Sequence, residues 1–344
     1  MSARAFLLLA MLLGLCAPGV ARADTTCTAT TPVTLAFGTI GSQATGPTNT
    51  MTSFDINCSS AGLSILGSAS VRMCVGLGTG TTGATFTPMR SMTDANGDAL
   101  SYQLYTNPAR TVIWGLVPGG APPARSLDIN YSVPLIGGSG TTNVVIYGQI
   151  PAGQTLSAGA YSSAFSGAGV TLEYAFNQVL TGTATTPALC STTGGVGGHK
   201  TATSGFPFTV TANVLPQCST YVTTDMDFGT NAGAITSNRD QTSTIGLTCL
   251  NRTAYTIALD NGLYPQGTTR RMRHTTNPAY FIPYELYSNS GRSTRWGSTS
   301  GVDLVSGTGT GSAQSLTVYG RAPPTTGAVA EGTYNDQIKV TITY

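Results

Sequence analysis

Charge is what this chain has least of. Asp, Glu, Lys and Arg make up 9 % of its 344 residues, where soluble domains carry roughly 25 %. Lysine occurs only at Lys200 and Lys339, and histidine only at His199 and His274. No basic cluster of the kind that grips a phosphate backbone is present, so no nucleic-acid partner is expected. No CxxC pair lies close to a histidine, which removes the usual zinc ligand sets, and no cofactor is expected. Paired carboxylates and a nucleophile elbow are missing too, so the chain is not expected to be an enzyme. Helical periodicity is absent. After the first 23 residues no run is apolar enough to cross the ~30 Å of a bilayer core, so no membrane span is expected in the mature chain.

Those first residues have their own signature. Arg4 precedes an apolar run from Phe6 to Leu15, and Ala21-Arg22-Ala23 gives a small-x-small cleavage site. This reads as a secretory signal peptide over 1–23, with the mature chain starting near Asp24. Removing Arg4 and Arg22 lowers the basic count from 16 to 14, equal to the 14 acids. Gly, Ser and Thr take the place of charge, and β-branched and aromatic residues recur in short alternating runs. That pattern predicts an all-β sandwich class.

The chain also repeats itself. Cys218 and Cys249 lie 191 residues after Cys27 and Cys58, and Phe228-Gly229 lies 191 after Phe37-Gly38. Leu286-Tyr287 and Trp296-Gly297 follow Leu104-Tyr105 and Trp114-Gly115 by 182, and Tyr319-Gly320 follows Tyr147-Gly148 by 172. A tandem duplication of one domain accounts for this. The matched cysteines predict one disulfide in each copy, Cys27 with Cys58 and Cys218 with Cys249, and elimination pairs Cys74 with Cys190.

Met89-Arg90, Leu100-Ser101-Tyr102-Gln103-Leu104-Tyr105 and Trp114-Gly115, with the echoes Met272-Arg273, Tyr284-Glu285-Leu286-Tyr287 and Trp296-Gly297, resemble the spore coat protein U domain. Gly332-Thr333-Tyr334 before a final alternating strand adds to the likeness. The family includes subunits of archaic (Csu-type) chaperone-usher pili. Two such domains in one secreted chain resemble the two-domain tip adhesin of those pili. The resemblance implies immunoglobulin-like, pilin-type sandwiches, the C-terminal one lacking its last strand. It also implies a periplasmic chaperone, an outer-membrane usher and an adjacent pilin subunit as partners, with the groove filled by a donated strand. The expected location is the cell surface, at the pilus tip, reached through the periplasm.

Between the copies, Gly194 to Ser204 has the composition of a flexible linker. Then Phe206, Phe208, Val210, Ala212 and Val214 alternate with polar residues, the period of a half-buried strand. We expect an N-terminal head domain over 24–200 that this linker strand, 204–215, completes, and a C-terminal domain over 216–344 that awaits a strand. Only Asp24, Thr25 and Thr26 precede Cys27 and nothing follows Tyr344, so the chain is expected to receive a strand and not to give one.

The head copy carries about eight extra residues in Ser59 to Ser70 and ten more between Trp114-Gly115 and Tyr147-Gly148. Both insertions are apolar where loops are usually polar. Leu63, Ile65, Leu66, Leu116, Val117, Pro118, Leu135 and Ile136 are therefore candidate contacts to an abiotic or host surface, serving attachment and biofilm formation. The alternative is that they pack inward and the chain is a minor structural pilin or adaptor. Gly78 to Gly83 fits GxGxxG but reads as a loop, Asp94 to Asp98 reads as a turn, and Arg270, Arg271 and Arg273 read as a solvated strand edge.

Overall fold

The computed structural model describes residues 24–30, 34–41, 46–61, 66–81, 85–86, 89–191, 197–203, 205–327 and 329–344. The expected signal peptide, 1–23, lies outside them. Strand dominates, and the one helical turn among the described residues is Gly167–Gly169. Two compact units meet in sequence at Ala212 and Asn213.

The first unit contains β1 (Asp24–Ala29), β2 (Leu35–Ile40), β3 (Thr48–Ala61), β4 (Gly67–Leu77), β5 (Arg90–Thr93), β6 (Ala99–Tyr105), β7 (Arg125–Val133), β8 (Gly138–Ile150), β9 (Gly159–Phe165), β10 (Val170–Val179), β11 (Gly198–Thr203) and β12 (Phe208–Val214). One sheet has the order β1-β3-β8-β6-β5-β9-β12-β2 and the other β11-β10-β4-β7. Alternation sets the layers: Phe54, Ile56 and Cys58 of β3 are buried while their neighbours face out. The second unit contains β13 (Cys218–Thr223), β14 (Arg239–Cys249), β15 (Ala254–Leu259), β16 (Arg270–His274), β17 (Phe281–Tyr287), β18 (Val305–Thr308), β19 (Ala313–Ala322), β20 (Tyr334–Asn335) and β21 (Val340–Thr343). Its sheets run β13-β14-β19-β17-β16-β20 and β18-β15-β21. Both units are all-β, immunoglobulin-like sandwiches with a core between two sheets.

The two cores are wired alike. Trp114 and Trp296, each about 1 % exposed or less, donate from Nε1 to the Val75 and Ile257 carbonyls at 2.7 and 2.9 Å. Arg90 is fully buried and donates to the carbonyls of Gly78, Leu77 and Trp114. Arg270 does the same to Asp260, Leu259 and Trp296. The expected echo of Met89-Arg90 in Met272-Arg273 is therefore three residues out of step: Arg270 is the counterpart of Arg90, and Met272 of Met92. Arg270 is no solvated edge residue either. Its guanidinium is spent on three core carbonyls.

The three disulfides are Cys27–Cys58, Cys74–Cys190 and Cys218–Cys249. The first and third join directly opposed residues of paired strands.

One linker expectation is corrected. Gly198–Thr203 is a strand, antiparallel to β10 from Phe176↔Gly198 to Thr171↔Thr203. A Cβ on Gly197 would lie 1.4 Å from the Phe176 carbonyl oxygen, so the glycine there allows close approach to an edge that would otherwise be unpaired. His199 Nε2 meets Glu173 at 2.8 Å and the Lys200 ammonium pairs with Asp24.

The insertions are mostly strand. β3 has 14 residues against 11 in β14, and β4 has 11 against 6 in β15. β7 has 9 against 4 in β18, and β8 has 13 against 10 in β19. Four neighbouring strands thus lengthen together by three, five, five and three residues, which raises one end of the first unit by roughly 10–16 Å at ~3.3 Å per residue. Inside this extension Ser60 Oγ bonds Thr25 at 2.8 Å and the Tyr131 hydroxyl at 2.6 Å.

Candidate functional site

In the first unit β12 lies between β9 and β2. Phe206, Phe208, Val210, Ala212 and Val214 are all buried, none more than 5 % exposed. Phe206 stacks on Phe54 with centroids 4.8 Å apart, and Phe208 on Phe165 at 4.6 Å. Alternation along β12 puts these side chains into the sandwich and its threonines outward.

The corresponding place in the second unit holds no strand among the described residues. Between 223–228 and the 334–340 segment runs a groove of about 530 Å³. It continues, past the shared Thr223, Ile245 and Val340, into a further cavity of about 440 Å³ beside Tyr221, Ile342 and Tyr344. The floor is apolar: Ile245, Leu259, Met272, Tyr284, Leu286 and Val318. They stand where the buried Phe54, Leu77, Met92, Tyr102, Leu104 and Ile146 lie in the first unit. β21 is the outermost strand of its sheet, whereas its counterpart β10 is flanked by β11.

Polar contacts hold the groove lips. Tyr284 donates to Asp336 Oδ2 at 2.7 Å, and burial, then that carboxylate, pushes its hydroxyl well above the ordinary tyrosine range. His274 Nδ1 accepts from the backbone N–H of Thr276 and Asn277, so Nε2 donates to the Glu331 carbonyl at 2.8 Å. Gly332 lets that ring in: a Cβ there would fall 2.1 Å from Nε2.

The apolar insertion residues separate into two places. Leu66 precedes β4, and Leu135 and Ile136 occupy the turn between β7 and β8, closed by Gly137 N to the Pro134 carbonyl at 2.9 Å. Gly67 pairs with Val133, so both lie at one end of the first unit. Leu66 is 79 % exposed, Leu135 54 % and Ile136 97 %. Sequence reasoning missed Leu180, 66 % exposed, which follows β10 next to the Leu66↔Thr181 bridge. No charged residue occurs in 61–67, 133–138 or 179–190. β11 carries the chain away from this end. Leu116, Val117 and Pro118 sit at the opposite end of β4, where Leu77 N donates to the Gly115 carbonyl, and only Val117 of the three is exposed. Leu63 and Ile65 lie outside the described residues.

The motifs set aside are turns. Asp94 Oδ1 accepts from Asn96 and Asp98 N–H at 2.9 Å each, and Gly78 to Thr81, the described part of the glycine motif, is not helical. Among the described residues no cluster of three or more His, Cys, Asp or Glu could hold a metal ion. No helix among them is long and apolar enough to cross a membrane.

The Spore Coat Protein U domain model matches residues 17–167 and 205–341. Protein U of Myxococcus xanthus is 37 % identical over 109 residues, 30 % of this chain. The match spans 59 % of that protein's length. Among solved structures, a chaperone–tip adhesion subunit pre-assembly complex from archaic chaperone-usher Csu pili of Acinetobacter baumannii is 19 % identical, covering 93 % of this chain and 100 % of that one, with a TM-score of 0.41. A tip adhesin from Pseudomonas aeruginosa is 10 % identical over 93 % of this chain and 94 % of its own, with a TM-score of 0.30.

Proposed function

The chain belongs to the Spore Coat Protein U domain family, and from that premise we propose that it is a tip adhesin of a chaperone-usher pilus. The observation that carries the reading is the pair of equivalent grooves, one filled by the chain's own β12 and one open. A unit that closes itself needs no neighbour. A unit with an open groove needs one, because unpaired strand edges and the partly covered Met226, Phe228 and Met272 invite aggregation. One open groove gives one attachment point, which suits the end of a fibre. Before assembly a periplasmic chaperone fills the groove, and at the outer-membrane usher a strand of the adjacent pilin replaces it. The protein is then carried to the cell surface.

The first unit is the head in this reading, and Leu66, Leu135 and Ile136, with Leu180 beside them, are its contact surface. Burying a Leu-sized side chain is worth roughly 1.5–3 kcal/mol, and many fibres multiply a weak contact into firm attachment and biofilm formation. The test is the triple variant Leu66→Ser, Leu135→Ser, Ile136→Ser against a Val117→Ser control at the opposite end. We expect normal fibre number with adhesion to polystyrene lost in the triple variant only. Undiminished adhesion, with the protein labelled along the shaft and not at fibre ends, would favour a structural adaptor.

A further inference from the structure

In the first unit the closing segment has two parts that serve different sheets. β11 adds antiparallel to β10 in one sheet, and after a bend at Gly205 β12 enters the other between β9 and β2. The second unit has both vacancies: the outer edge of β21, which corresponds to the β10 edge, and the groove beside β20, which corresponds to β9.

We infer that the partner of the second unit is a two-part strand: a short uncharged arm antiparallel to β21, a bend, then an alternating apolar stretch with aromatic side chains at its first two inward positions. This rests on reading the groove as a strand acceptor. The arm is specified by the edge it meets. Opposite Thr341 to Tyr344 it corresponds to Lys200–Thr203, which pair with Tyr174 to Thr171. Glu173, which holds His199 in the first unit, is replaced by Thr343, so a charged arm gains no partner there. The aromatic positions are specified by the floor. Phe206 and Phe208 stack on Phe54 and Phe165, and the second unit has Ile245 and Ile338 at those places. Isoleucine is smaller than phenylalanine, so the pockets are deeper and a large side chain is needed to reach their floor.

The full chain tests this with strands appended to Tyr344. One graft carries an Asn-Gly turn and a copy of residues 200–214 in which Lys200→Thr removes the charge, and the other a flexible linker and a copy of 205–214 alone. Hydrogen exchange is read at β21 and at β20, with β10 of the first unit as an internal control. We expect both grafts to protect β20, and the longer graft to slow exchange in β21 at least tenfold relative to the shorter. Changing the two copied phenylalanines to valine should remove the protection of β20. Equal protection of β21 by both grafts would overturn the arm, and full protection with the valine graft would overturn the aromatic positions. Protection from neither graft, with β10 unchanged, would sink the strand-acceptor reading itself.

Discussion

Tyr174 on β10 and Tyr344 just after β21 hold equivalent places in the two units, yet Tyr174 is 2 % exposed and accepts a hydrogen bond from Cys27 N, while Tyr344 is 51 % exposed. Leu35 and Phe37 of β2, the strand beside β12, are buried, and their counterparts Met226 and Phe228 are only partly covered. Beneath this difference the scaffold is the same: the buried arginine, the buried tryptophan and the cross-strand disulfide recur. Even the surface arginines match. Arg110 and Arg292, with φ of 54° and 51°, each bond two strands through carbonyls of Thr50 and Gly148 or of Gln241 and Gly320. The closing strand is thus separable from the rest of the sandwich. It adds its five inward side chains to a core whose layers are held by other contacts.

Opening the first unit on purpose should make it behave like the second, and this is the largest effect expected. Phe206→Ala and Phe208→Ala should each cost about 3–5 kcal/mol, read as a lower denaturant midpoint for the first unit and faster exchange in β9. An unchanged midpoint would mean that β12 is not part of that core. Next comes the Cys74–Cys190 disulfide, which has no equivalent in the second unit and ties residues 116 apart. Replacing both cysteines with alanine should cost about 4–5 kcal/mol in the chain-entropy model, again confined to the first unit. Third, Arg90→Met takes the guanidinium from the carbonyls of Leu77, Gly78 and Trp114, at a total cost of about 1–3 kcal/mol, the range for a buried polar group left unpaired. Burial already lowers this guanidinium to about 10. Arg270→Met should cost at least as much, because it strips the carbonyls of Leu259, Asp260 and Trp296 and also takes one cation from Glu285, which then keeps Arg295 at 3.0 Å.

Much of this organisation is legible in the sequence, for identifiable reasons. A duplicated pattern needs only self-comparison, and period-two alternation exposed β12 because one of its faces is buried. β11 was hidden because Gly, Thr, His and Lys carry no such alternation: that strand exists to pair an edge, and backbone hydrogen bonds leave no side-chain signature. Arg270 was misread because composition cannot separate a solvated guanidinium from one that satisfies core carbonyls. The apolar insertion residues were visible, but not their division between two ends, which depends on strands growing in register. Leu180 lies in no insertion, so nothing marked it.

The smallest expected effect sharpens the comparison at one pair of positions. In the second unit Asp240 opposes Arg321 and receives two hydrogen bonds from it, at 2.7 and 2.8 Å. In the first unit the same places hold Asn49 and Gln149, joined by a neutral hydrogen bond at 3.0 Å. The hydrogen bond from Arg321, followed by the charges of Arg292 and Arg321 against a desolvation cost, holds the Asp240 carboxyl below its ordinary value. A carboxylate with a depressed folded-state pKa contributes stability that is fully present above about pH 4–5 and is lost as pH falls through the folded value. Acid should therefore loosen β14 against β19 slightly while leaving β3 against β8 unmoved. Asp240→Asn should make the two units respond alike. Hydrogen exchange between pH 5 and pH 3, corrected for intrinsic rates, checks this, and equal acid sensitivity of β3 and β14 in the unaltered protein would contradict it.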